Sequence, residues 1–120
     1  MSDLKELVDR YIQIWNTPDD SARRALVADV FTEDGAFVDP FMEVAGVDAI
    51  NAGIGAVLGQ FAGLALTLLG EVDAHHGIAR FRWQIAPEGG ESIVEGSDVA
   101  VAEEGKLKAV YGFIDKMPAA

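Results

Sequence analysis

The second half of the chain restricts the fold most. From Leu64 onward it reads as four strand-length runs, residues 64–76, 77–86, 92–103 and 106–116. Pro87-Glu88-Gly89-Gly90 and Glu104-Gly105 make tight connections between them, so the runs pair as antiparallel hairpins. The first half is helical. Leu4, Leu7, Val8, Tyr11, Ile12, Ile14 and Trp15 recur at helical spacing and predict an amphipathic helix ended by Asn16. Thr17-Pro18-Asp19-Asp20 is a start signal, with Thr17 as cap, Pro18 at the first helical position and Asp20 as the capping-box acid. The second helix is expected to run to Phe31 with Ala22, Ala25, Leu26 and Val30 inward. Glu33-Asp34-Gly35 reads as a turn, followed by a short strand over residues 36–39 that Pro40 stops. Gly46 precedes a third helix with Ile50, Ile54, Val57, Leu58 and Phe61 on one face. Its Gly53, Gly55 and Gly59 each weaken it by about 1 kcal/mol relative to Ala. Helices followed by a meander of strands predict an α+β domain, three N-terminal helices on a curved, mainly antiparallel sheet.

The 120 residues suffice for one domain, 1–120, and half of them are hydrophobic, enough for a packed interior. A net charge of −11 repels phosphate backbones and anionic bilayers, so neither nucleic acid nor a membrane is expected as a partner. Arg80 and Arg82 alternate with Phe81 and Trp83, which puts the two cations on the solvated or interface side. With no cysteine there is no disulfide or thiolate metal site, in keeping with a cytoplasmic protein. The opening residues lack the pattern of a signal peptide, and the apolar stretch 54–69 is too short and glycine-broken to span a bilayer.

Three ionisable residues interrupt apolar or small-residue patterns. Asp98 shares a strand phase with Val94, Gly96, Ala100 and Ala102, a face expected to be buried or to line a cavity. A buried carboxyl without a cation is pushed toward its neutral form and can then donate a hydrogen bond to a developing oxyanion. Tyr11 lies one turn before Trp15 and is a second candidate donor, or else a core tyrosine with an ordinary partner. Asp39, before Pro40, is the candidate general base, or else a turn aspartate. Trp15, Phe61, Phe81, Trp83 and Phe113 are candidate walls of a pocket for a small hydrophobic ligand. His75-His76 has no spacing partner for a metal, and neither a metal nor a cofactor is expected. Asp115 is a second-rank candidate, because the inward phase of its strand is not fixed by the sequence.

The run from Tyr11 to Asn16, the run from Phe31 to Pro40, residues 46–50 and Gly112-Phe113-Ile114-Asp115 together resemble the SnoaL-like branch of the nuclear transport factor 2-like fold. The resemblance spans nearly the whole chain. It implies a cone of helices and curved sheet, and a homodimer through the open sheet face. Function varies widely on this fold. Asp9-Arg10-Tyr11, Val38-Asp39-Pro40 and Gly96-Ser97-Asp98 resemble the regions where ketosteroid isomerase carries its oxyanion tyrosine, its proton-shuttling aspartate and its protonated aspartic acid. That resemblance implies a cofactor-independent isomerase with Asp39 as base and Tyr11 and Asp98 as oxyanion donors. A polyketide cyclase, a non-catalytic binding domain and an assembly module are the alternatives. The hydrolase branch of the fold joins an arginine and two aspartates around a water, and the chain has no Arg-x-Asp unit.

Overall fold

The computed structural model describes residues 4–118. Helices α1 (Leu4–Trp15) and α2 (Asp20–Val30) lead into β1 (Phe31–Asp39) and β2 (Met42–Ala45). Helix α3 (Val47–Gln60) follows, and then β3 (Ala65–His75), β4 (Ile78–Ala86), β5 (Val94–Glu103) and β6 (Lys106–Lys116). The expectation of three N-terminal helices holds in part: the strand expected between the second and third is present as β1, and a further strand, β2, follows it before α3. The strands form one six-stranded sheet in the order β2-β1-β6-β5-β4-β3. Every neighbouring pair is antiparallel except β1 with β6.

The meander forms as its turn residues dictate. Glu104 and Gly105 both have positive φ (51° and 82°), so a two-residue turn closes β5 onto β6 with Glu103 opposite Lys106. The helix starts differ from the expected pattern. Asp19, not Thr17, caps α2, its side chain accepting from Ala22 N at 2.9 Å. The buried face of α2 is Arg23, Val27 and Val30, whereas Ala22 and Ala25 are exposed. On α3 the fully buried residues are Ile50, Asn51 and Ile54, with Val57, Leu58 and Phe61 only partly covered.

Strand β1 begins five residues earlier than the sequence suggests. Glu33-Asp34-Gly35 does not end the segment but swells it: the pairing with β6 steps from Phe31–Leu107 to Ala36–Ala109. The extra residues bulge out of the ladder, so turn-forming chemistry appears inside a strand. Pro40 then turns the chain into β2, an edge strand absent from the sequence reading.

The core lies between the helices and the inner sheet face, with Val8, Ile14, Val27, Phe31, Ile50, Ile54, Phe81, Leu107 and Val110 buried. Two polar clamps hold the layers. Asn16 donates to Leu66 O at 2.8 Å and accepts from Leu66 N at 2.9 Å, tying the end of α1 to the edge strand β3. Arg23, only 4 % exposed, donates to Asn51 Oδ1 (2.8 Å), Asp20 Oδ1 (3.1 Å) and the carbonyls of Thr17 (3.3 Å) and Pro18 (3.1 Å). Gly55 makes room for it, since a Cβ there would lie 2.5 Å from Arg23 Nη2. No helix among the described residues is long and apolar enough to cross a membrane.

Candidate functional site

A cavity of about 310 Å³ opens between α1, α3 and the inner sheet face, mostly apolar in its lining. Tyr11, Asp39 and Asp98 all line it, so the fold brings the three candidate residues to one place. The register explains how. Asp98 of β5 stands opposite Gly112 of β6, and on the other side of β6 Tyr111 pairs with Val38, the residue before Asp39. Gly112 thus sits between the two acids. A Cβ on it would lie 2.7 Å from Asp98 Oδ1 and at ordinary contact, 3.4 Å, from Asp39 Cβ, so glycine is what makes room for the Asp98 carboxyl beside Asp39.

Tyr11 comes from α1, its ring set edge-on against Phe31 (6.1 Å) and Phe81 (5.9 Å). Its hydroxyl meets Asp98 Oδ2 at 3.3 Å. The other oxygen of Asp98, Oδ1, accepts from the Trp83 indole Nε1 at 3.0 Å. Trp83 is opposite Gly96 in the β4–β5 ladder, and its indole lies across that glycine to reach Asp98 two residues along. A Cβ at residue 96 would collide with Trp83 Cζ2. Burial pushes the Asp98 carboxyl up to about 7, against the downward pull of the Trp83 and Tyr11 hydrogen bonds, with the Asp39 and Asp115 charges adding to the rise. Burial, then the Asp98 charge, push the Tyr11 phenol well above its ordinary value, and the Trp15 indole opposes this. Trp15 Nε1 is itself buried without a hydrogen-bond partner among the described residues.

Asp39 is half-buried at the cavity edge. Its Oδ1 accepts from the backbone N–H of Phe41 (2.8 Å) and Met42 (3.0 Å), an aspartate turn around Pro40. Oδ2 makes no hydrogen bond to a described residue. Oδ1 is thus the turn aspartate's oxygen.

Of the expected wall residues, Trp15, Phe61, Trp83 and Phe113 line the cavity. Phe81 does not: it is 2 % exposed, packed behind the Tyr11 ring as core. Phe113 is 65 % exposed and stands at the mouth, with Phe41 and Met117. Asp115 accepts from Ser97 Oγ at 2.6 Å and is not a cavity residue. His75 and His76 are both exposed at the β3–β4 turn, also away from the cavity. Among the described residues no group of three or more His, Cys, Asp or Glu is placed to hold a metal ion. Sequence reasoning finds Trp83 as wall and misses its hydrogen bond to Asp98. It also misses Met42, whose sulfur fills the space over Gly53. The pairing of Trp83 with Gly96 across a hairpin is the available signal.

A SnoaL-like domain model matches residues 8–110. The crystal structure of a candidate isomerase of the SnoaL-like family from Agrobacterium tumefaciens is 34 % identical, superposes with a TM-score of 0.86, and covers 91 % of this chain and 94 % of its own. A candidate SnoaL-like polyketide cyclase from Jannaschia sp. CCS1 superposes at 0.72 with 12 % identity, covering 96 % and 90 %. A candidate ketosteroid isomerase from Kribbella flavida superposes at 0.70 with 15 % identity, covering 97 % and 80 %. At these low identities the last two establish a shared fold and nothing finer. No curated protein matches the chain. With a family model over most of its length and a close structural relative, the chain belongs to the SnoaL-like family of the nuclear transport factor 2-like fold.

Proposed function

We propose that this protein is an isomerase of the ketosteroid isomerase type, moving a proton next to the carbonyl of a small hydrophobic substrate. The observation that carries the reading is the pairing of Tyr11 with a buried Asp98, its carboxyl pushed up to about 7, in an apolar cavity whose rim holds Asp39. Asp39 Oδ2 takes a proton from the carbon beside the carbonyl. The C–H electrons pass into the dienolate, and its oxygen gains negative charge. Tyr11 and neutral Asp98 supply the donor side that holds this oxygen, in a mostly apolar cavity where such donors act strongly. Asp39 then returns the proton to the γ carbon and the double bond moves into conjugation. No electrons are gained or lost overall, and the base ends ionised as it began.

Turnover of a β,γ-unsaturated ketone, followed by conjugated-enone absorbance, tests the reading. The same first step followed by attack of the enolate on a second carbonyl would make a cyclase. A binding domain is the second reading, favoured by the engagement of both Asp98 oxygens and of Asp39 Oδ1 within the protein. It predicts ligand-dependent stabilisation with no turnover.

We also propose a homodimer through the outer sheet face. Tyr111 is 44 % exposed there, and Arg82 and Asp115 put both signs of charge on one face. Such a face is self-complementary under a two-fold axis. A cytoplasmic location completes the proposal, resting on the cysteine-free composition.

A further inference from the structure

We propose that Trp83 is a positioning residue that fixes the proton of neutral Asp98 on Oδ2, so that Asp98 acts on a bound carbonyl oxygen through Tyr11. The argument begins with what an indole can do. Nε1 only donates, so the oxygen it meets must accept. Trp83 Nε1 meets Asp98 Oδ1 at 3.0 Å. A neutral carboxyl carries one proton, and since its carbonyl oxygen is by far the better acceptor, the indole selects Oδ1 as carbonyl and Oδ2 as the protonated oxygen. Oδ2 faces the Tyr11 hydroxyl at 3.3 Å. With Oδ2–H donating to the phenol oxygen, the Tyr11 proton is free to point into the cavity. A relay results, from Trp83 to Asp98 to Tyr11 to the ligand oxygen, in which every hydrogen bond runs in the same direction.

Ionised Asp98 reverses the middle of this chain. Both of its oxygens then accept, the Tyr11 O–H turns back to Oδ2, and the cavity loses its donor. The orientation of Tyr11 thus follows one proton. The groups facing Asp98 are Tyr11 from α1, Trp83 from β4 and Asp39 from β1, and the charge of Asp115 on β6 acts on it from the outer side of the sheet, beside Ser97. The two acids oppose its ionisation, and the phenol and indole favour it. Gly96 seats the indole: a Cβ there would collide with Trp83 Cζ2 and Cε2, as well as with the Phe113 carbonyl of the neighbouring strand. The use of the relay on a carbonyl rests on the isomerase reading, but the proton placement does not.

Carbon-13 carboxyl labelling of aspartate gives the Asp98 midpoint by NMR without any substrate. Trp83→Phe removes the N–H, and the midpoint is expected to rise by about one pH unit, a tenfold change in proton affinity. Benzothienylalanine at position 83, sulfur for N–H in a ring of the same shape, gives the same readout if the phenylalanine variant does not fold. An unchanged or lowered midpoint in the analogue overturns the proposal. The second arm uses 2-naphthol, an enolate-like hydroxyl probe, below its own ionisation. Wild type is expected to bind it at least tenfold more weakly once Asp98 is ionised. Asp98→Asn, whose amide always donates to Tyr11 while its oxygen accepts from Trp83, is expected to bind it equally on both sides. Binding by the Asp98→Asn variant that weakens with pH as in wild type also overturns the proposal. A loss of turnover alone, with these titrations as expected, would count against the isomerase reading and leave the relay standing.

Discussion

Asp98 shows how a single residue is legible in part. Its phase among Val94, Gly96 and Ala100 marks it as buried, and it is 3 % exposed. Its partners are not legible, because a strand pattern gives the face of a side chain but not how far a neighbour's indole reaches along the next strand. The raised pKa has a consequence for stability. The native state keeps a proton that the unfolded chain loses between about pH 4 and about pH 7, so stability falls as pH rises through that window. A shift of this size corresponds to about 4 kcal/mol. Asp98→Asn is expected to flatten the slope, read from urea unfolding at a series of pH values. An equal slope in the variant would place the proton elsewhere. Tyr11→Phe keeps the ring contacts with Phe31 and Phe81 and removes only the hydroxyl. It is expected to lower kcat by about 10²–10³ while shifting Tm little.

At the scale of elements, the four long strands are readable because each pairs with its sequence neighbour, through two-residue turns at β3–β4 and β5–β6 and a Pro- and Gly-marked loop at β4–β5. Of β1 only residues 36–39 are, because its parallel partner β6 lies at the far end of the chain and its bulge imitates a turn. The clamp of Arg23 is hidden for a similar reason: an arginine on a helix gives no sign that Asn51 and two carbonyls await it. Arg23→Ala is expected to destabilise the fold by about 2–3 kcal/mol, since Asn51 loses its main partner and a buried side chain is removed. Asn16→Ala, which leaves both backbone groups of Leu66 without the side chain, is expected to cost about 1–2 kcal/mol. Denaturant midpoints measure both. Gly112→Ala is expected to disturb the site more than the fold, because the added methyl meets Asp98 Oδ1 directly. Activity lost with a near-normal midpoint would bear this out.

For the whole molecule, the sheet order does what no local pattern predicts. It places β6 between β1 and β5, and so sets Asp39 and Asp98, far apart in sequence, on either side of Gly112. That juxtaposition is available beforehand only through the resemblance to a known fold. The outer face of the same sheet is where a second copy is proposed to dock. Sedimentation velocity should give a dimer, and Tyr111→Glu should shift it to monomer, since a charge at the centre of an interface is left without a partner.

The central claim is that Asp39 moves a proton at a carbon held by the Tyr11–Asp98 pair. Its most direct test is the rate of conjugation of a β,γ-unsaturated ketosteroid by wild type and by Asp39→Asn, with Tm recorded for both. The account predicts turnover by wild type and a loss of at least about 10²-fold in a variant that still folds. Wild-type turnover that persists undiminished in the folded Asp39→Asn variant would contradict it.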